Sequence, residues 1–351
     1  MTDRNSLASC GIGEGRPCYV IAEAGVNHNG NLETAHRLID AAAKAGADAV
    51  KFQTWITEEV CTQGAIKAEY QKLHGGDEDQ FTMLKGLELP FVWHSELKAH
   101  AEERKIQFLS TPDDVASLRL LCDLGVPLIK IGSGEVSNLP YLAKIAATGK
   151  PLILSTGMSD LAKIARALQA IRSVAQPPEV ALLHCVTAYP APEEEMNLRC
   201  IATLREAFQV PVGLSDHTVG SLAAVLGVGL GMTVYEKHFT LDRRMPGPDH
   251  AASTEPEPFA ALVAEIRKAE RMMGDGVKGT TASEVTNVAV VQRVLVYGRN
   301  LAAGSAIQEG DIKALRCGQD GLGPAELPRF QGRVLRTAGV VDAVVREEDF
   351  Q

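Results

Sequence analysis

Eight short apolar runs, each followed by a helical pattern, constrain this chain more than any other feature. They occupy residues 19–23, 47–53, 106–111, 127–135, 151–156, 180–187, 211–217 and 233–240. The runs are near-continuously apolar rather than alternating, which is what a strand covered on both faces of a parallel sheet requires. Between the first two, Leu32, Ala35, Leu38, Ile39 and Ala42 recur at helical spacing and Gly46 ends the pattern. Eight successive βα units predict an α/β chain folded as a parallel (β/α)8 barrel. A doubly wound open sheet is the alternative, but the first turn, Glu23-Ala-Gly25, lacks the GxGxxG spacing of a dinucleotide site.

The remaining segments hang on that frame. Residues 1–16 are polar and Gly-rich and read as a short cap or hairpin. The insertion 55–89 is long enough to lie over the barrel mouth. A Gly-rich break at 274–281 divides a barrel domain, 1–275, from a linker, 276–287, and a small β-rich domain, 288–351. Runs at 293–297 and 339–345 are the expected strands of that small domain.

Composition bounds the partners. Apolar content of 45% and charged content of 23% suit a soluble globular protein. A net charge of −9 argues against nucleic-acid or anionic-membrane partners, so cations for an anionic substrate must be local. Seven cysteines with no CxxC pair read as reduced thiols. No leader pattern and no apolar run near the roughly 20 residues of a bilayer span are visible. The expected setting is the cytoplasm.

The runs end in Glu23, Lys51, Gln53, Ser110, Thr111, Lys130, Ser133, Glu135, Ser155, Thr156, His184, Ser215, Asp216, His217, Glu236, Lys237 and His238. In a barrel these are the positions that carry chemistry. Singly, each has an ordinary explanation. A strand-end Ser or Thr is usually a cap or turn residue. His28, His36, His94 and His100 read as turn or helix-surface residues, and His184 is open to a core or a ligand role. Jointly they say more. Lys51, Lys130 and Lys237 would repel one another in one mouth unless an anion lay between them, and the hydroxyls beside them suit a phosphate. His217 and His238, on the last two strands, suit a divalent metal with an open position. Glu23, Glu135 and Asp249 could hold hydroxyls or move protons. Two other classes use similar parts. A Schiff-base aldolase would use Lys130 or Lys237 without a metal, and a carbohydrate-binding protein would keep the fold without the full polar set.

Several stretches together resemble the sialic acid synthase family, which includes legionaminic and pseudaminic acid synthases. They are Ile21-Ala-Glu-Ala-Gly-Val-Asn-His-Asn-Gly30, Val50-Lys-Phe-Gln-Thr54, Ala68-Glu-Tyr-Gln-Lys72, Leu109-Ser-Thr-Pro112, Lys130-Ile-Gly-Ser-Gly-Glu135, Leu154-Ser-Thr-Gly-Met158, Ser215-Asp-His-Thr218, Glu236-Lys-His-Phe-Thr-Leu-Asp242 and Gly247-Pro-Asp-His250. The resemblance implies a TIM barrel followed by an antifreeze-like (SAF) domain in a domain-swapped homodimer. It implies condensation of phosphoenolpyruvate with an N-acylated mannosamine-type sugar, releasing phosphate. His217 and His238 match metal ligands for Mn2+ or Mg2+. Lys51, Ser110, Lys130, Ser133, Ser155, Ser215 and Lys237 match positions around phosphoenolpyruvate. Glu23, Gln53, Tyr189 and Asp249 match positions around the sugar, Glu135 a proton-handling carboxylate, and Arg316 a group reaching the partner subunit's sugar.

Departures from the family pattern fall on sugar recognition and domain docking. They are Val186-Thr-Ala188 before Tyr189, Cys317 after Arg316, Gln292-Arg-Val294, and the insertion Gln71-Lys-Leu-His-Gly-Gly76. N-acetylmannosamine is the first expected acceptor, a 2,4-diacetamido-2,4,6-trideoxymannose the second, and a pseudaminic acid precursor the third.

Overall fold

The computed structural model describes residues 5–68 and 78–351. Residues 69–72 of the Ala68–Lys72 stretch and the 71–76 insertion lie outside the described residues. The chain forms two compact units, Met1–Gly274 and Asp275–Gln351.

The first unit holds eight strands: β1 (Tyr19–Gly25), β2 (Ala49–Thr54), β3 (Gln107–Pro112), β4 (Ile129–Ile131), β5 (Leu152–Ser155), β6 (Val180–Cys185), β7 (Val212–Asp216) and β8 (Val234–His238). They pair in parallel in the order β3-β2-β1-β8-β7-β6-β5-β4. The two end strands, β3 and β4, also touch, which closes the ring. Helices follow the strands and are started by side chains: Asn31 accepts Thr34 N–H, Asp114 accepts Ser117 N–H and Asp160 accepts Lys163 N–H. Gly213 is needed where β7 meets β8, because a Cβ there would lie 2.1 Å from the Val234 carbonyl oxygen.

Strand side chains alternate between the lumen and the helix layer. Leu109, Leu128, Ile153, Ala181, Leu183 and Val234 pack inside the barrel with Tyr19 and Ile21. Leu7, Cys10 and Ile12 join that cluster, so the N-terminal segment plugs the lumen with a short 3-10 turn, Ala8–Cys10, rather than a hairpin. The fourth run is mostly not strand. Only Ile129–Ile131 pairs, and Ser133–Ser137 forms a 3-10 turn. In the insertion, the helix Gln80–Gly86 reaches the mouth.

In the second unit, β9 (Val294–Tyr297) pairs antiparallel with β10 (Ile312–Leu315). The expected strand at 339–345 makes only isolated bridges, Leu301 to Gly339 and Val296 to Val344. Val285–Val291 is helical, so the expected linker already carries the start of an ordered element. Leu295, Tyr297, Phe330, Leu335, Val345 and Phe350 form the core of this unit.

Candidate active site

The alternation that seals the barrel floor with apolar residues turns polar at its mouth. Glu23, Lys51, Gln53, Thr111, Lys130, Ser155, Cys185, Ser215, His217, Glu236 and His238 line one cavity of about 230 Å³. Ser133 and Gly134, Asp113, Tyr189 and Asp249 add to its wall, and Met83, Leu84 and Leu87 add apolar surface. Gly157 packs close by: its N–H donates to Ser133 Oγ at 2.9 Å, and a Cβ there would lie 2.2 Å from Thr187 Oγ1.

Two lysines and two glutamates form the floor of the cavity. Lys51 Nζ donates to Glu23 Oε1 at 2.5 Å and to Thr111 Oγ1 at 3.3 Å, and lies 3.8 Å from Glu236 Oε2. Lys130 Nζ donates to Ser155 Oγ at 2.9 Å and lies 3.2 Å from Glu236 Oε1, which also accepts Ser215 Oγ at 3.1 Å. Gln53 Nε2 donates to Glu23 Oε1 at 3.2 Å. Burial alone would raise the Glu23 carboxyl, but Lys51, His238 and Lys130 outweigh it and hold it well below its ordinary range. Burial would lower Lys51, but Glu23 and Glu236 reverse the shift and raise it. Both groups are therefore held ionised although their side chains are almost wholly buried.

The imidazoles stand opposite. The His217 and His238 ring centroids are 5.3 Å apart, and the Tyr189 ring lies 4.2 Å from that of His217. His217 Nδ1–H donates to Val186 O at 2.7 Å, which leaves Nε2 as the basic nitrogen. His238 Nδ1 is buried without a hydrogen-bond partner. Its ring is flanked by Glu23 Oε2 at 3.6 Å and Asp249 Oδ2 at 3.9 Å. Burial raises the Asp249 carboxyl, and the Glu23 charge adds to that against His238 and His217. Two basic nitrogens with an orphaned donor position beside two carboxylates fit a divalent cation that keeps water or substrate as its other ligands. Among the described residues no group of three or more His, Cys, Asp or Glu forms a ready-made metal set.

Three expected site residues are placed differently. Lys237 faces away from the cavity. Its Nζ is buried against Asp216 Oδ2 at 2.8 Å and Thr218 O at 2.7 Å, because it alternates with the inward-facing Glu236 and His238. Ser110 is likewise outward, hydrogen-bonded to Thr54 Oγ1 at 2.7 Å, and Thr111 takes the inward position. Glu135 sits in the 3-10 turn after β4, accepts Asn138 Nδ2 at 2.7 Å and does not line the cavity. Arg316 belongs to the second unit, where it is exposed just after β10. His184 is a core residue, bonded to Met196 O at 2.6 Å. His28 and His94 are fully buried, not on a surface.

The sequence profile of the NeuB family matches residues 38–278. The chain belongs to that family. Within it, the N,N'-diacetyllegionaminic acid synthase of Campylobacter jejuni is 44% identical over 93% of this chain and 98% of its own length. The enzyme of the same name from Legionella pneumophila is 43% identical over 91% of each chain. Among solved structures, an N-acetylneuraminic acid synthetase from Leptospira borgpetersenii superposes with a TM-score of 0.69 at 34% identity. That match covers 79% of this chain and 92% of the Leptospira one.

This NeuB-family cavity also holds two carboxylates to which sequence reasoning gave no role, Glu236 at a strand end and Asp113. Glu236 bridges the lysines, and its position two residues before His238 on one strand face was the available signal. Asp113 follows β3 directly, and its signal was only the tandem Asp113-Asp114.

Proposed function

We propose that this chain is a nonulosonate synthase that condenses phosphoenolpyruvate with an N-acylated amino-sugar aldehyde, releasing phosphate and forming a nine-carbon 2-keto acid. The observation that carries this is the convergence of the Lys51–Glu23 and Lys130–Glu236 pairs, Ser155, Ser215 and the two imidazoles in one cavity. The acceptor we favour is 2,4-diacetamido-2,4,6-trideoxymannose, on the strength of 44% and 43% identity to legionaminic acid synthases over nearly the whole chain. N-acetylmannosamine is the second acceptor, on the 34% likeness to the Leptospira synthetase.

In this reading Lys130, Ser155 and Ser215 hold the phosphate and Lys51 with Thr111 the carboxylate end of phosphoenolpyruvate. Glu23, Gln53 and Asp249 accept sugar hydroxyls, and Tyr189 packs against the sugar beside His217. His217 and His238 would hold Mn2+ or Mg2+, which would supply Lewis-acid polarisation of the sugar's carbonyl oxygen. Ordering both substrates in one walled cavity removes much of the entropic barrier to joining them. Glu135, on the turn that brings Ser133 and Gly134 to the cavity wall, is the proton-handling carboxylate of this reading. The small unit serves as an SAF domain whose Arg316 reaches the sugar of a partner subunit in a homodimer, and the enzyme works in the cytoplasm. No helix among the described residues is long and apolar enough to cross a membrane.

The test is phosphate release from phosphoenolpyruvate with Mn2+, comparing the two sugars and reading product mass. The diacetamido sugar should turn over faster. No phosphate from either sugar would overturn the reading.

A further inference from the structure

Two aspartates follow β3 in tandem, and their surroundings differ. Asp114 is committed to the fold. Its Oδ1 accepts Ser117 N–H at 2.8 Å to cap the helix Val115–Leu124, and its Oδ2 accepts Ile56 N–H at 2.8 Å and Ser117 Oγ at 2.6 Å. Asp113 donates its backbone N–H to Thr54 O at 3.0 Å. Its carboxylate lines the cavity, and among the described residues no donor reaches it. Neither capping nor packing calls for this second carboxylate.

Charge makes the position informative. The cavity wall sets Glu23, Asp113, Glu236 and Asp249 against the ammoniums of Lys51 and Lys130. Those ammoniums are already paired, Lys51 with Glu23 at 2.5 Å and Lys130 with Glu236 at 3.2 Å. The groups that act on Asp113 are Lys51 from β2, Lys130 from β4, Glu135 from the turn after β4, its neighbour Asp114, and Tyr141 from the helix Leu139–Ala146. Tyr141 OH is occupied, donating to Pro112 O and Asp114 O at 2.9 and 2.8 Å. Burial and then the Glu135 charge push the Asp113 carboxyl up to about 7, against Lys51 and Lys130. A phosphoenolpyruvate entering beside it brings a carboxylate and a phosphate, and like charges at close range favour a proton on one of them.

We propose that Asp113 is the proton-carrying group of the phosphoenolpyruvate site, taking up one proton when the anionic substrate enters and presenting it to that substrate as a hydrogen-bond donor. One O–H bond forms on the carboxylate with a proton from solvent, no substrate bond breaks, and the proton returns to solvent on release. The inference rests on the condensation reading above. It assigns a binding residue that depends on pH and that a merely structural aspartate would not provide.

The experiment is calorimetric titration of the full chain with phosphoenolpyruvate and Mn2+, without sugar so that nothing turns over. Two buffers of different ionisation enthalpy at pH 8 count the protons. The unmodified chain should take up close to one proton more than Asp113→Asn, whose amide keeps a donor but cannot titrate. Its Kd should weaken by up to about tenfold per pH unit above 7, while that of Asp113→Asn changes less than twofold. Infrared difference spectra give a second reading that does not depend on Asp113→Asn folding. A protonated-carboxyl band should appear on adding phosphoenolpyruvate at pH 8 and shift in Asp113→Glu. Equal proton uptake and equal pH slopes in the two chains, or no such band, would overturn the proposal. If phosphoenolpyruvate does not bind the unmodified chain at all, the condensation reading fails first and this inference with it.

Discussion

Ser215, His217, Glu236 and His238 face into the barrel, while Asp216 and Lys237, their chain neighbours, face out, and the two sets are satisfied differently. The outward groups complete one another. Asp216 accepts Lys237 Nζ at 2.8 Å, Tyr235 OH at 2.6 Å and both Thr218 N–H and Oγ1, so every charge is paired without help from outside. Thr54, Ser110 and His94 close a second network in the same layer. The inward groups do not close. Glu236 Oε2 and His238 Nδ1 are buried without a hydrogen-bond partner, and the Asp113 carboxylate has no donor among the described residues. A buried polar group left without a partner is expensive unless a ligand supplies one. The same residue types at the same strand ends are therefore structural on one face and available for binding on the other.

That comparison can be broken by swapping effects between faces. The largest change expected is on the inward side. His238→Ala should lower kcat for phosphate release about a thousandfold, in line with losing a group that organises developing charge, while the melting temperature barely moves. A melting temperature that falls with little loss of kcat would place His238 with the structural set. On the outward side, Lys237→Met leaves Asp216 buried without its cation. It should destabilise the fold by about 3–5 kcal/mol, read by denaturant unfolding, with the KM for phosphoenolpyruvate within twofold of the unmodified chain. A large rise in that KM would return Lys237 to the substrate.

A pH scan sharpens the contrast. Burial pushes His28 down to about 4, helped by the His94 and His250 charges, and pushes His250 down to about 4 as well. Their folded values lie below the ordinary 6.5, so the unfolded chain binds more protons in that interval. Stability is thus complete above about pH 6.5 and is lost as pH falls toward 4. Glu23, depressed from 4.5, adds its own loss only below that value. Melting temperature should decline across pH 6.5 to 4, and His250→Gln should flatten the decline; an unchanged slope would remove the histidines as its cause. The smallest effects separate two adjacent hydroxyls. Thr111→Val should raise the KM for phosphoenolpyruvate several-fold, whereas Ser110→Ala should leave it unchanged and cost about 1 kcal/mol of stability. The reverse pattern would show that Ser110 is the one that meets substrate.

Much of this molecule was legible before any coordinates. Eight apolar runs with helical intervals dictate a parallel barrel, because strands buried on both faces need helices outside and a closed ring leaves no edge to protect. The convergence of Glu23, Lys51, Lys130, Ser155, Ser215, His217 and His238 followed from that ring, since its strand ends share one mouth. What the chain alone did not determine is phase. A strand shows that Ser110-Thr111 or Glu236-Lys237-His238 lies at the mouth, but which of two neighbours points inward depends on register against the adjacent strands, and one step reverses every side chain. For the same reason Lys237 was assigned to the substrate and Glu236 was not. Glu135 stands off the cavity wall for a different reason: the chain turns into a 3-10 helix after Ile131, a local choice that packing settles and apolar content does not reveal. Asp113 and Asp114 are the same residue in sequence. Only tertiary structure ties one to a helix cap and leaves the other facing the cavity, because hydrogen-bond partners such as Ile56 N–H arrive from 58 residues away.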